Sequence, residues 1–146
     1  MSAAFDSGGT VVGVLADALD ARLRQPDIRR AIGEDRLTLL TPFKPDAGFS
    51  VASAMGRNKV VYGLSKVTLV VASDLDKGGT WQGAVEAIRR RYGRVAVWRG
   101  EGEGPGNAAL VARGGIAVTS MDELNALVSS DAPTRDAEPG QLSFGA

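Results

Sequence analysis

Short apolar segments alternate with longer segments of mixed composition along most of this chain. The apolar segments are rich in β-branched residues and are typical of strands buried on both faces. They span residues 10–16, 37–40, 68–72, 95–98 and 116–118. The segments between them have helical composition, so the alternation predicts an α/β domain. Its expected form is a three-layer, open, mainly parallel sheet of about five strands, with helices on both faces.

The predicted helices follow from the intervening segments. Residues 17–32 are interrupted by Pro26, which indicates two short helices or a kink. Ser50 and Asn107 are plausible N-caps. The remaining helices are expected at 50–64, 80–92, 107–112 and 121–128. Residues 129–146 are rich in Ser, Asp, Pro, Gly and Ala, so we expect one domain over 1–128 and a disordered tail over 129–146.

Composition narrows the possible chemistry. The chain of 146 residues has no His and no Cys, which excludes thiolate nucleophiles, histidine bases and the usual zinc sites. The 17 Lys and Arg balance the 17 Asp and Glu, so any affinity for nucleic acid must come from a local patch. No segment has the features of a signal peptide or of a membrane span. We therefore expect a cytoplasmic protein without a cofactor or a metal.

A glycine turn is the strongest candidate site. Ligands of open parallel sheets bind at the carboxyl ends of the strands, and the third predicted strand ends just before this turn. Its residues are Ser73, Lys77, Gly78, Gly79 and Thr80. Glycines let backbone N–H groups point outward at a helix N-terminus, and Lys77 adds a positive charge. The pattern favours a phosphate ligand, although a plain tight turn with a threonine cap would have the same residues.

A cationic helix precedes the same strand. Arg57, Asn58 and Lys59 lie within it, and the sequence predicts that Arg57, Lys59 and Lys77 converge on one crevice. A solvated helix face is the alternative interpretation. In the loop before this helix, Lys44 could contact phosphate. Phe49 could stack on a base, or it could pack on the helix that it precedes.

Taken together, these motifs resemble the DNA-processing protein A (DprA, or Smf) family. Residues 56–65, with Arg57-Asn58-Lys59, look like that family's Arg-Asn-Arg/Lys helix, and residues 77–80 look like its glycine turn. Residues 104–107 resemble its Gly-Pro-Asn segment, and residues 9–15 resemble a glycine-led strand. The resemblance covers roughly residues 8–127.

The resemblance implies a Rossmann-like domain of the DprA–LOG (SLOG) superfamily. It implies binding of single-stranded DNA during natural transformation and recombination, with a recombinase as a possible partner and a homodimer as the expected assembly. Several residues would then face the DNA: Arg57, Asn58, Lys59, Ser73, Lys77, Gly78, Gly79, Thr80 and Asn107, with Lys44 and Phe49 in the aromatic and basic contact region. A nucleotide or nucleotide-derived ligand in the same crevice is the alternative.

The sequence also departs from the family. Two strands that precede the one at Thr10 in the family, with Gly-Ser-Arg and Ser-Gly-x-Ala-x-Gly-Ile-Asp motifs, are not found here. Because the family has these strands in the middle of its sheet, the chain resembles the second part of a domain. We expect either that residues 11–16 pair directly beside residues 69–72, or that an exposed sheet edge is covered by another copy.

The same region resembles the LOG phosphoribohydrolases of that superfamily. Residues 55–59 look like their Met-x-x-Arg-Lys motif, and residues 78–80 look like a shortened Gly-Gly-x-Gly-Thr. The catalytic Arg of those enzymes falls on Asn58, and their catalytic Glu falls on Gly83. The resemblance therefore predicts a binding protein, with nucleoside-monophosphate hydrolysis as an alternative function.

Overall fold

The computed structural model describes residues 2–130, and the predicted tail beyond Ser130 lies outside the described residues. Strands and helices alternate along the chain as the sequence predicts. The strands are β1 (Val11–Val14), β2 (Leu37–Leu40), β3 (Val67–Val70), β4 (Arg94–Trp98) and β5 (Ile116–Val118). The helices are α1 (Ser2–Asp6), α2 (Leu19–Leu23), α3 (Pro26–Gly33), α4 (Val51–Leu64), α5 (Gly78–Arg90), α6 (Asn107–Ala112) and α7 (Met121–Ser129).

The predicted elements are confirmed, with small shifts at their ends. Two short helices, α2 and α3, form on either side of the break at Pro26, which occupies the first turn of α3. Ser50 caps α4, because its Oγ accepts a hydrogen bond of 2.9 Å from the backbone N–H of Ser53. The short helix α1 was not predicted.

Within residues 2–130, the five parallel strands belong to two separately hydrogen-bonded sheets. One sheet has the order β1-β2, and the other has the order β3-β4-β5. All three strand pairings are parallel, as expected for a Rossmann-like fold. The expectation that residues 11–16 pair directly beside residues 69–72 is wrong, since β1 and β3 share no ladder. Helix α4 contacts both strands and links the two sheets.

The main core lies on the sheet β3-β4-β5. Val95, Ala96 and Val97 are consecutive and all buried, so both faces of β4 are covered. The largest buried cluster joins β3 and β4 to three helices: its members are Tyr62, Val70, Trp81, Ala84, Ala87, Val95, Val97 and Leu110. Burial raises the pKa of the Tyr62 phenol. This cluster fixes the start of α5 against the end of β3.

A carboxylate stabilises the start of α7. Ser120 caps the helix by accepting from the N–H of Glu123. In return, Oε2 of Glu123 accepts from the N–H of Thr119 at 2.7 Å and from its hydroxyl at 3.1 Å. The backbone hydrogen bond is the larger cause of the lowered pKa of Glu123, and the hydroxyl bond adds to it.

We expect Glu123→Gln to lower the melting temperature at neutral pH and to lose this effect in acid. Because the folded-state pKa is lowered from 4.5, the stabilisation is complete above that pH and disappears as the pH falls through the folded value. Thermal melts of both proteins between pH 7 and pH 3, roughly the range of carboxyl titration, test this. A difference that did not shrink in acid would contradict the assignment.

Candidate functional site

The N-terminus of α5 lies open at the carboxyl end of β3. Asp76, before the helix, and Gly78, its first residue, have positive φ angles of 57° and 82°. Lys77 is the N-cap residue and makes no side-chain capping bond. Gly78, Gly79 and Thr80 are all exposed. The first N–H groups of α5 are therefore accessible, and the positive end of the helix dipole faces outward.

A small hollow of about 310 Å³ surrounds this helix N-terminus. Its lining residues come from the loops that follow β3 and β4 and from the first turn of α5: Ala72, Ser73, Asp74, Lys77, Gly78, Gly79, Thr80, Gly104 and Pro105. The side chain of Lys77 is 75% exposed, and its Nζ is 4.0 Å from the carboxylate of Asp74. Such a long, exposed pair is weak, so the ammonium group remains available to an anion.

Asn107 fixes the loop after β3, which lines the hollow. Its side chain is fully buried, and its Oδ1 accepts from the N–H of Ser73 at 2.9 Å. Its Nδ2 donates to the carbonyls of Val71 and Trp98, each at 2.8 Å. The predicted N-cap role is wrong, because Gly106 is the N-cap of α6. With its amide used by three backbone groups, Asn107 positions the loop and does not face a ligand.

Two glycines allow the loops after β3 and β4 to pack closely. A Cβ on Gly104 would overlap the backbone N and O of Ser73. A Cβ on Gly106 would overlap the carbonyl O of Asp74 and would lie 2.7 Å from its carbonyl carbon. The N–H of Gly106 also donates to Ser73 O at 2.8 Å. These contacts set the position of Ser73 and Asp74 beside the start of α5.

A larger groove of about 730 Å³ adjoins the hollow and shares Gly78, Gly79 and Thr80 with it. The groove lies between α4 and the free edge of β3. Phe49, Arg57 and Asn58 also line it, and Phe49 is 67% exposed. Arg57 and Lys77 thus line two neighbouring cavities that share Gly78, Gly79 and Thr80.

The guanidinium of Arg57 is already engaged. Its Nη1 donates to the backbone O of Val14 at 2.8 Å, and its Nε donates to Oδ1 of Asn58 at 3.2 Å. Arg57 therefore connects α4 to β1. The hydrogen bond between Arg57 and Val14 links residues 43 positions apart in the sequence, so no local sequence pattern predicts it.

Two of the predicted cationic residues line neither the hollow nor the groove. Lys59 forms an ion pair of 3.2 Å with Glu86 on α5 and lines neither cavity. The predicted convergence of Arg57, Lys59 and Lys77 therefore does not extend to Lys59. Lys44 lies exposed in the loop after β2 and also lines neither cavity.

Sequence reasoning missed a third cation near the start of α5. Arg113 lies 4.8 Å from the ring centroid of Trp81, and its Nη2 is 3.8 Å from the carboxylate of Asp76. Asp76 immediately precedes the N-cap residue Lys77. Only the packing of α6 beside α5 reveals this contact, since Arg113 is distant from Asp76 in the sequence.

The position of Gly83 explains why α4 and α5 pack closely. A Cβ on Gly83 would lie 3.3 Å from Nδ2 of Asn58 and 3.3 Å from the ring of Tyr62. A larger residue at this position would require the side chains of Asn58 and Tyr62 to shift. Asn58 and Gly83 thus lie at the contact between α4 and α5.

Within residues 2–130, no three His, Cys, Asp or Glu side chains come together as a metal site would require. None of the helices in the same range has the length and apolar character needed to cross a bilayer.

Comparison with known proteins identifies relatives of this chain. The sequence model of the DNA recombination-mediator protein A family matches residues 1–129. The X-ray structure of DNA processing protein A (DprA) from Streptococcus pneumoniae superposes with a TM-score of 0.68 at 20% identity. The match covers 89% of this chain and 47% of that one, so the chain spans about half the length of the relative. No curated protein sequence matches significantly.

Proposed function

This chain belongs to the DNA recombination-mediator protein A family, and from that premise we propose that it binds single-stranded DNA without catalysis. The DNA backbone would contact the exposed start of α5, with a phosphate in the hollow. Family membership supports a role in DNA processing, and the site geometry supports the finer assignment.

One observation carries the proposal: the first turn of α5 has no side-chain cap and borders the hollow beside Lys77. Uncapped N–H groups with the helix dipole behind them form a ready site for a phosphate oxygen. Thr80 adds a hydroxyl group in the same turn. Backbone N–H groups bind any phosphate equally, so the contact predicts little sequence preference.

The neighbouring groove supports an oligomeric ligand. Phe49 is exposed at the groove and could stack on a base, as aromatic residues do in proteins that bind single strands. Asn58 lines the same groove and has an amide that can reach a base or a sugar. Asp74 and Asp76 lie beside the helix start, so the site is not strongly cationic and we expect moderate affinity.

Lys77→Ala is expected to weaken binding of a fluorescent oligothymidine and to flatten its salt dependence. Removing one phosphate contact reduces the slope of log K against log salt by about 0.7 for a single strand. Fluorescence anisotropy titrations over a range of salt concentrations measure this slope. The matched control is Lys66→Ala, which removes an exposed lysine just before β3, at the strand end opposite the hollow.

The control should retain the wild-type slope. Equal slopes for wild type, Lys77→Ala and Lys66→Ala would exclude the α5 site from DNA binding. Arg57 is less suitable for this test, because its bond to Val14 gives it a structural role.

A nucleotide ligand is the alternative that the small hollow favours, since about 310 Å³ at a helix N-terminus suits a single phosphate group. The length of the oligonucleotide distinguishes the two functions. Affinity that grows with oligonucleotide length supports DNA binding, whereas affinity that is already complete with one nucleotide supports the alternative.

The absence of catalysis is proposed on the basis of Asn58 and Gly83. They stand where the resemblance to the LOG enzymes requires an Arg and a Glu, and glycine has no carboxyl group to take the place of that Glu. Incubation with nucleoside monophosphates should release no free base. A homodimer, a recombinase partner and a cytoplasmic location remain expectations that follow from the family resemblance.

A further inference from the structure

Arg113 is held beside the start of α5 by three separate contacts. It is the C-cap residue of α6, and its Nη1 donates to the carbonyl of Ala109 on the same helix at 3.2 Å. Its guanidinium lies 4.8 Å from the ring centroid of Trp81 on α5. The third contact joins Nη2 to the carboxylate of Asp76 at 3.8 Å. Because the group is fixed in this way, it loses little conformational entropy when it binds an anion.

The packing on Trp81 keeps the Arg113 guanidinium at the surface. The ring of Trp81 is only 6% exposed and belongs to the largest buried cluster, so it forms a firm support. The Arg113 side chain above it is 47% exposed. An arginine whose face stacks on an aromatic ring keeps the N–H groups at its edge for other partners. These donors are therefore within reach of a ligand in solvent.

The ion pair with Asp76 leaves Arg113 available. A separation of 3.8 Å between Nη2 and Oδ1 is too long for a hydrogen bond, and the Asp76 side chain is 70% exposed. Exposed ion pairs of this kind contribute little to stability. A phosphate group, by contrast, can accept two parallel hydrogen bonds from one guanidinium. A phosphate can therefore displace this carboxylate.

The loop after β3 pairs with a second cation in the same way. Asp74 lies 4.0 Å from Nζ of Lys77, and both of these side chains are more than half exposed. Asp76 immediately precedes Lys77, so the two ion pairs are adjacent. Lys77 and Asp74 line the hollow, whereas Arg113 and Asp76 lie outside its lining. Two adjacent cations, each with a weakly held carboxylate, suit two successive phosphates of one strand better than a single phosphate.

We propose that Arg113 binds a second phosphate of the strand whose first phosphate occupies the hollow, and that Asp76 competes for Arg113. This inference rests on the proposed function and extends it from one phosphate contact to two. The ligand must then carry successive phosphates, which is a property of an oligonucleotide and not of a nucleoside monophosphate. Before binding, Asp76 pairs with Arg113; on binding, its carboxylate is released to solvent.

Arg113→Gln is expected to reduce the slope of log K against log salt by about 0.7, because one phosphate contact with the single strand is lost. Affinity for a fluorescent oligothymidine, measured by anisotropy, should fall by about two- to fivefold at moderate salt. Arg113→Lys keeps the positive charge and should retain the slope. The matched control, Arg89→Gln, removes an exposed cation near the end of α5 and should also retain it.

The double variant Lys77→Ala/Arg113→Gln separates two phosphate contacts from one. If the two side chains contact different phosphates, the slope should fall by about 1.4, twice the value for a single contact. A double variant that lost only about 0.7 would mean that both cations neutralise the same phosphate. That result would exclude the second contact.

Asp76→Asn tests the competition for Arg113. Asparagine tolerates the positive φ of 57° at this position, so the loop should keep its conformation. Affinity should rise by about two- to fivefold in the wild-type background. The gain should be smaller in the Arg113→Gln background, where no guanidinium remains to be released. The matched control is Asp35→Asn, which changes an exposed aspartate with a φ of 55° in the turn between α3 and β2 and should leave the affinity unchanged.

Four results would overturn the proposal. A wild-type slope for Arg113→Gln, when Lys77→Ala flattens the slope, would remove Arg113 from the site and leave the proposed function intact. A slope lowered as much by Arg113→Lys as by Arg113→Gln would assign Arg113 a structural role. No gain from Asp76→Asn would exclude competition, and this test needs no Arg113 variant. Equal gains in both backgrounds would mean general repulsion of the DNA. If Lys77→Ala and Arg113→Gln both kept the wild-type slope, the proposed function would fail as well.

Discussion

Asn107→Ala is expected to lower the free energy of unfolding by about 3–5 kcal/mol, because three backbone groups, one buried and two partly buried, lose their partner at once. The groups are the N–H of Ser73 and the carbonyls of Val71 and Trp98. The Asn107 side chain is fully buried, so water cannot easily replace it. Since a domain of this size is stable by about 5–15 kcal/mol, the loss is a large share of the total.

Urea denaturation followed by tryptophan fluorescence measures this loss. Asn125→Ala is the matched control, because Asn125 is exposed in the middle of α7 and should change stability little. Asn107→Asp provides a second variant. It keeps an acceptor for the N–H of Ser73 but places a negative charge beside two carbonyls, so it should also destabilise. Wild-type stability in both Asn107 variants would show that the amide does not hold the loop.

Gly106→Ala is expected to lower the free energy of unfolding by about 2–3 kcal/mol and to weaken ligand binding at the start of α5. The added Cβ would overlap Asp74 O and would lie 3.0 Å from Ser73 O. Backbone atoms cannot move aside like the end of a flexible side chain. The loop after β3 must therefore shift, and that loop forms one wall of the phosphate hollow.

Gly63→Ala is the control for this substitution. Gly63 lies within α4, and a Cβ there meets no atom within 4 Å. Alanine should be neutral or stabilising at that position by up to about 1 kcal/mol, because it favours the helix. Thermal melts and anisotropy titrations of the two variants measure both effects. If the two glycine variants behaved alike, close packing of the loops after β3 and β4 would not shape the site.

The elements of the fold could be predicted because their signals are local. The apolar runs at 37–40 and 116–118 match β2 and β5 residue for residue. The break between α2 and α3 at Pro26 and the cap of α4 at Ser50 depend on neighbouring residues alone. The separation of the strands into two sheets is a property of tertiary packing, and no local pattern indicates it.

The candidate site could be predicted only in part, for the same reason. The glycine turn at Gly78 is encoded by adjacent residues, and it lies where the sequence predicts. The role of Asn107 depends on backbone groups of β3 and β4, so its sequence position beside α6 suggested an N-cap instead. Lys59 is about 200° around the helix from Arg57, so these two could not point in the same direction.

The division of the strands into two sheets also bears on which part of the protein unfolds first. Among residues 4–50, the buried apolar side chains are few and mostly small: Ala16, Ala31 and Leu37. The larger cluster with Tyr62, Trp81 and Leu110 belongs to the other sheet. We therefore expect the N-terminal part to have the lower local stability and to open while the rest stays native. We expect proteases to cleave that part first.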